Sequence, residues 1–152
     1  MGSRTLGQSM MSFYSSLQAR VDAWLASTEA AQMTNAELYR HLPELYRFLV
    51  ELALDDRVPE QERACTLSAV KYVVAPYDLI PEAVVGTSGF RDDLVLAAMM
   101  TERICDACGA ALVAEHWSSA GNPQAIARTI LEAATAMVGG DICDRLRAWL
   151  PN

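Results

Sequence analysis

The chain has 152 residues, 52% hydrophobic and 20% charged. That length can bury roughly 70% of the surface of the unfolded chain, so a real core is available and disorder is excluded. Twelve Lys and Arg stand against 19 Asp and Glu, a formal charge of −7. No basic cluster is present, which argues against nucleic-acid binding and against charge-driven docking on an anionic membrane.

Alanine and leucine dominate and β-branched residues are sparse, a composition that favours helix. Residues 9–27 place Phe13, Leu17, Val21, Trp24 and Leu25 on one helical stripe. Thr34 to Glu37 has the form of a capping box, in which a Thr oxygen and a Glu side chain satisfy two free backbone N–H groups. Pro43 either opens a second helix or kinks a longer one; Leu45, Leu49 and Leu52 share its face. Pro59 suits the first position of the next helix, with Glu60 and Glu62 at its positive end. Its predicted inner face is Ala64, Leu67, Val70 and Val74, and Pro76 stops it.

A Pro- and Asp-rich loop fills 75–90, and a long helix is predicted from Asp92 to Trp117. This includes the most membrane-like run, 94–114. Glu102, Arg103 and Asp106 lie near its middle, and each would cost about 2.5–3.5 kcal/mol at a bilayer centre. A buried helix is expected, not a transmembrane span. Asn122 caps and Pro123 opens another helix, with Ile126, Ile130, Ala133 and Met137 on one side. Gly139 and Gly140 end it. Asp141 is expected to cap a last helix carrying Ile142, Leu146 and Leu150. The expected fold is all-α: a compact bundle of five to seven helices, one domain over residues 1–152, with the Pro/Asp-rich loop between two core helices.

That loop carries the most distinctive pattern. Tyr72, Pro76, Asp78, Leu79, Ile80, Pro81 and Glu82 are followed by Gly89, Asp92, Asp93 and Leu94. The order and spacing resemble the YkvA-like domain family, small bacterial helical domains of unknown function, over a segment of about residues 64–100. The family more often has Asp where Glu82 stands, and a more apolar stretch, often with a further Pro, where this chain reads AVVGTSGF. The resemblance implies architecture and no chemistry.

Two readings of the acids stand open. In the first, Tyr72, Pro76, Pro81 and Gly89 shape a structural loop. The prolines lower the entropy lost on folding. Asp78 caps a short turn, and Asp92 and Asp93 sit at the positive end of a helix, a placement that stabilises by about 0.3–1 kcal/mol each. In the second, Asp78, Glu82, Asp92 and Asp93 converge on a ligand. Asp78, Asp92 and Asp93 would then be the candidate ligands of a divalent cation, with possible hydrolytic chemistry.

Other features carry less. Cys105 and Cys108 form a lone CxxC without a second pair, and they share a helical face with Leu94, Ala97, Thr101 and Ile104. Packing is therefore expected rather than zinc or redox chemistry. Cys143 and His116 complete a zinc set only if the last helix packs to suit. His41 and His116 read as solvated or capping residues near helix ends. Ser118 and Ser119 beside His116 lack the strand–turn–helix elbow of a nucleophile. Gly86 and Gly89 lack the remainder of a phosphate loop.

No secretory signal opens the chain, whose first residues have the look of an expression scar. With four cysteines and no dense disulfide framework, a cytoplasmic location with reduced thiols is expected. The expected function is non-enzymatic: binding of a protein partner, or of a second copy in a homodimer, in an adaptor, inhibitor or immunity-type role. No cofactor is expected, a divalent cation being the alternative. Peripheral membrane contact stays open.

Overall fold

A computed structural model describes residues 2–74 and 90–150, with side chains from residue 12 onward. The described residues form eight α-helices and one 3-10 turn, with no strand among them. The helices are α1 (Gly2–Leu25), α2 (Thr28–Ala31), α3 (Leu42–Ala53), α4 (Glu60–Val74), α5 (Phe90–Cys108), α6 (Ala110–His116), α7 (Pro123–Val138) and α8 (Gly140–Trp149). The 3-10 turn, Ala36–His41, precedes α3. The all-α expectation holds.

Helix α5 is the axis of the bundle. Every residue from Leu94 to Thr101 is buried, so this stretch, apolar but for Thr101, is enclosed on all sides, as an apolar run without a polar face requires. It packs against α3, α4, α7, α8 and the 3-10 turn. Each large apolar side chain it buries stabilises the fold by roughly 1.5–3 kcal/mol before the entropy of ordering is subtracted. The charges of the membrane-like run become ties between helices. Arg103 grips Glu62 of α4 through two hydrogen bonds of 2.9 and 3.2 Å. Glu102 accepts from Arg128 of α7, and Asp106 accepts from Gln124. No helix among the described residues is long and apolar enough to cross a membrane.

Helix α1 lies on α3 and the 3-10 turn through Leu17, Val21 and Trp24. Trp24 meets Tyr39 at 4.8 Å and Phe90 edge-on at 6.3 Å, while the Arg20 guanidinium stands over the Phe90 ring. The first turn of α5 is thus clamped from the α1 side.

Several local expectations change. The long helix predicted to Trp117 breaks at Gly109, whose φ of 84° and ψ of 164° fall in a region closed to residues with a Cβ. The capping box does not form: Asn35 holds the cap position without a side-chain bond, and Glu37 pairs with Arg40 instead. Pro43 sits in the first turn of α3 and so opens a helix rather than kinking one. Pro59 lies just before α4, its carbonyl accepting from the Arg63 N–H. The inner face of α4 is Cys65, Thr66, Ala69, Val70, Tyr72 and Val73; Val70 is buried and Leu67 half-buried as expected, but Ala64 is exposed and Val74 is 42% exposed. Gly139, not Asp141, caps α8. Asn122 does cap α7, its side chain accepting from Ala125 N at 3.0 Å.

Candidate functional site

The signature segment runs from the end of α4 to the start of α5. Of its residues, Tyr72, Asp92 and Asp93 are described; Pro76, Asp78, Pro81, Glu82, Gly86 and Gly89 lie outside the described residues. Tyr72 sits one turn from the end of α4 and faces inward, 2% exposed. Its hydroxyl donates to Asp92 Oδ2 at 2.6 Å. Asp92 is fully buried, and its other oxygen accepts the Asp93 N–H at 3.1 Å. Asp93 is 6% exposed. Both acids occupy the first turn of α5, where free N–H groups and the positive helix end favour negative charge. Asp92 therefore bonds a phenol and a main-chain N–H.

Trp149 covers this clasp from outside. Its ring meets Tyr72 edge-on, with centroids 5.0 Å apart, and its indole N–H donates to Ser68 O at 3.3 Å. It is nevertheless 41% exposed. The result is a line from solvent inward: Trp149, then Tyr72, then Asp92.

A second group of polar residues lies at the far end of α3. His116 Nδ1 is 3.0 Å from Glu51 Oε1, and Nε2 is 2.7 Å from Asp55 Oδ2. Arg57 bonds Asp55 at 2.7 and 3.0 Å, and its guanidinium also grips Glu115 in close contact. These bonds, followed by those from His116 and the Arg57 N–H, hold the Asp55 carboxyl well below its ordinary pKa. Asp55, Glu115 and His116 lie near enough to surround a cation. That position is already filled, since Arg57 takes both carboxylates and His116 takes one. The histidine expected to be solvated is instead the centre of an ion-pair network. No sequence signal marked it, because its partners are 65 and 61 residues away.

His41 is half-buried at the end of the 3-10 turn, and burial lowers its pKa, aided by Arg40. The CxxC thiols lie at the end of α5, Cys105 buried and Cys108 half-buried. Cys105 is buried and its thiol is pushed up to about 11, by desolvation first and then by the nearby acids. Burial also raises Cys65 and Cys108. Such thiols are poor nucleophiles.

Residues 62–99 match the family model DUF1232, described as a protein of unknown function, which bears out the YkvA-like resemblance over that segment. The chain is also 31% identical over 77 residues to "Uncharacterized protein ORF9" of Methanothermobacter thermautotrophicus. That alignment covers 51% of this chain and 53% of the relative, so the chain spans about half the length of the curated relative it matches. No solved structure matches the chain.

Proposed function

We propose that the chain is a partner-binding helical module and that Trp149 anchors its contact surface. The supporting observation is the state of that side chain: 41% exposed, yet fixed by its hydrogen bond to Ser68 and its packing on Tyr72. A large aromatic ring held in place at the surface loses little entropy on binding and can bury much area, which is why tryptophan is enriched among interface hot spots. Its seat on Tyr72 sets the contact beside the segment that resembles the family. The net charge of −7 favours a partner with a basic or amphipathic segment.

A photo-crosslinking residue in place of Trp149, expressed in the native host, tests this. One discrete adduct, identified by mass spectrometry and absent when the crosslinker replaces the exposed Arg40, is the expected result. With that partner purified, Trp149→Ala should weaken binding about 30-fold or more, as removal of a hot spot of about 2 kcal/mol does. Equal adducts from both positions, or unchanged affinity in Trp149→Ala, would overturn the assignment.

A further inference from the structure

Helix α6 is held differently from the rest of the bundle. It has seven residues, none of them fully buried, with Leu112 and Val113 half-buried against the core. It starts at Gly109 and is followed by Gly121, both at positive φ, so each flank carries backbone that only glycine adopts readily. Val113 and Ala114 border a cleft of about 510 Å³ whose other walls include Cys105, Trp117 and the start of α7 at Pro123. His116 ties the end of α6 to the end of α3, beside the Glu115–Arg57 ion pair and the edge-on contact of Trp117 with Phe48.

The geometry of that tie sets its protonation. Both ring nitrogens face carboxylate oxygens, which carry lone pairs and no proton. A neutral imidazole has one N–H and one lone pair, so it can make one of these bonds and must set its lone pair against the other acid. The imidazolium makes both. The surroundings agree in charge. Glu51 of α3 faces Nδ1, and its second oxygen accepts from Arg47 at 3.1 Å. Asp55, just after α3, faces Nε2 and holds Arg57. Glu115 of α6 itself also holds Arg57. From the end of α5, Cys108 adds a half-buried thiol. Three carboxylates against two guanidinium groups leave one negative charge, which protonated His116 cancels.

We propose that α6 carries a proton-controlled latch: protonated His116 fastens its end to α3, and loss of the proton loosens that end, with Glu115 still paired to Arg57, and widens the cleft it borders with α7. Burial by itself would lower the ring pKa; the bonds and charges of Glu51 and Asp55 outweigh it and raise the ring above its ordinary value. A raised folded-state pKa means the tie is complete below the ordinary range, near about 6.5, and is lost as pH rises through the folded value. The latch is therefore closed in mild acid and opens toward alkaline pH.

Hydrogen exchange of residues 110–117 in the intact chain, corrected for intrinsic rates between about pH 6 and about pH 9, reads this directly. Protection should fall several-fold in the wild type while residues 94–101 stay unchanged. His116→Gln should be weakly protected at both ends of the range. Nitrogen shifts of the His116 ring should show both nitrogens protonated at the acid end and one at the alkaline end. Protection of 110–117 that does not vary with pH, or a His116→Gln profile equal to the wild type, would overturn the proposal. So would a ring that is neutral throughout, a readout that does not depend on whether any variant folds.

Discussion

The Tyr72 hydroxyl donates to Asp92 Oδ2 across 2.6 Å, bridging the end of α4 and the first turn of α5 over 20 residues of chain. The carboxylate is fully buried, so the bond is made where an unmet acceptor is most costly. Tyr72→Phe keeps the ring that packs on Trp149 and deletes the donor. Denaturant unfolding should show a loss of about 1.5–3 kcal/mol, the range for hydrogen bonds to charged groups, with the slope unchanged. A change below a few tenths would mean that Asp92 draws its satisfaction elsewhere.

This bridge also shows what was legible beforehand. Tyr72, Asp92 and Asp93 stood out from the pattern of the segment, and the helix-start role of the two acids followed from where a helix had to begin. The identity of the phenol as a partner did not follow, since a pairing 20 residues apart leaves no local trace. Helix α5 was legible as buried because its apolar run is continuous, and Glu102, Arg103 and Asp106 were read correctly as arguing against a span. Their partners Arg128, Glu62 and Gln124 emerge only from packing. The inner face of α4 was half legible: Val70 and Leu67 face inward as expected, while Ala64 and Val74 do not, because tertiary packing turned the helix toward the side that carries Cys65, Ala69, Tyr72 and Val73. His116 was missed for the same reason as the Tyr72 bond, with separations three times larger.

The break between α5 and α6 rests on one residue. Gly109 has φ 84° and ψ 164°, and a Cβ there would meet nothing within 4 Å. Any penalty for Gly109→Ala is therefore backbone strain, about 1–3 kcal/mol in this region of conformational space. Gly140 also has open space around it but sits at the start of α8 without a positive φ. Gly140→Ala should be neutral or stabilise by about 0.4–1 kcal/mol. Thermal or chemical unfolding of the two variants separates strain from steric crowding; equal effects would refute this account of the break.

The same corner of the bundle has an acid limit. Asp55 is held below the ordinary carboxylate range by Arg57 first and His116 second. A depressed folded-state pKa means its contribution is present above the unfolded value of about 3.9 and is lost as pH falls through the folded one. Unfolding followed from about pH 5 down to about pH 2 should show a stability loss that Asp55→Asn lacks. If Asp55→Asn loses stability with the same slope as the wild type, the acid limb belongs to other carboxylates.

Thiol reactivity tests the placement of the cysteines. Cys65, Cys105 and Cys143 are buried and Cys108 is half-buried; all four are free. The thiolate is the reactive form, and both its fraction and its accessibility set the rate of alkylation. Desolvation holds the Cys105 thiol at about 11, so near neutral pH almost none of it is ionised. Cys108 is also raised by burial, but it has more access to solvent and lies next to Gly109, where α5 ends. Iodoacetamide under native conditions should therefore label Cys108 first, with Cys105 following only on unfolding. The order is read by mass spectrometry at increasing times, with denatured protein as the reference for equal rates. Labelling of Cys105 as fast as in the denatured chain would mean that the CxxC face of α5 is open to solvent, and the packing of α5 against α7 would have to be redrawn.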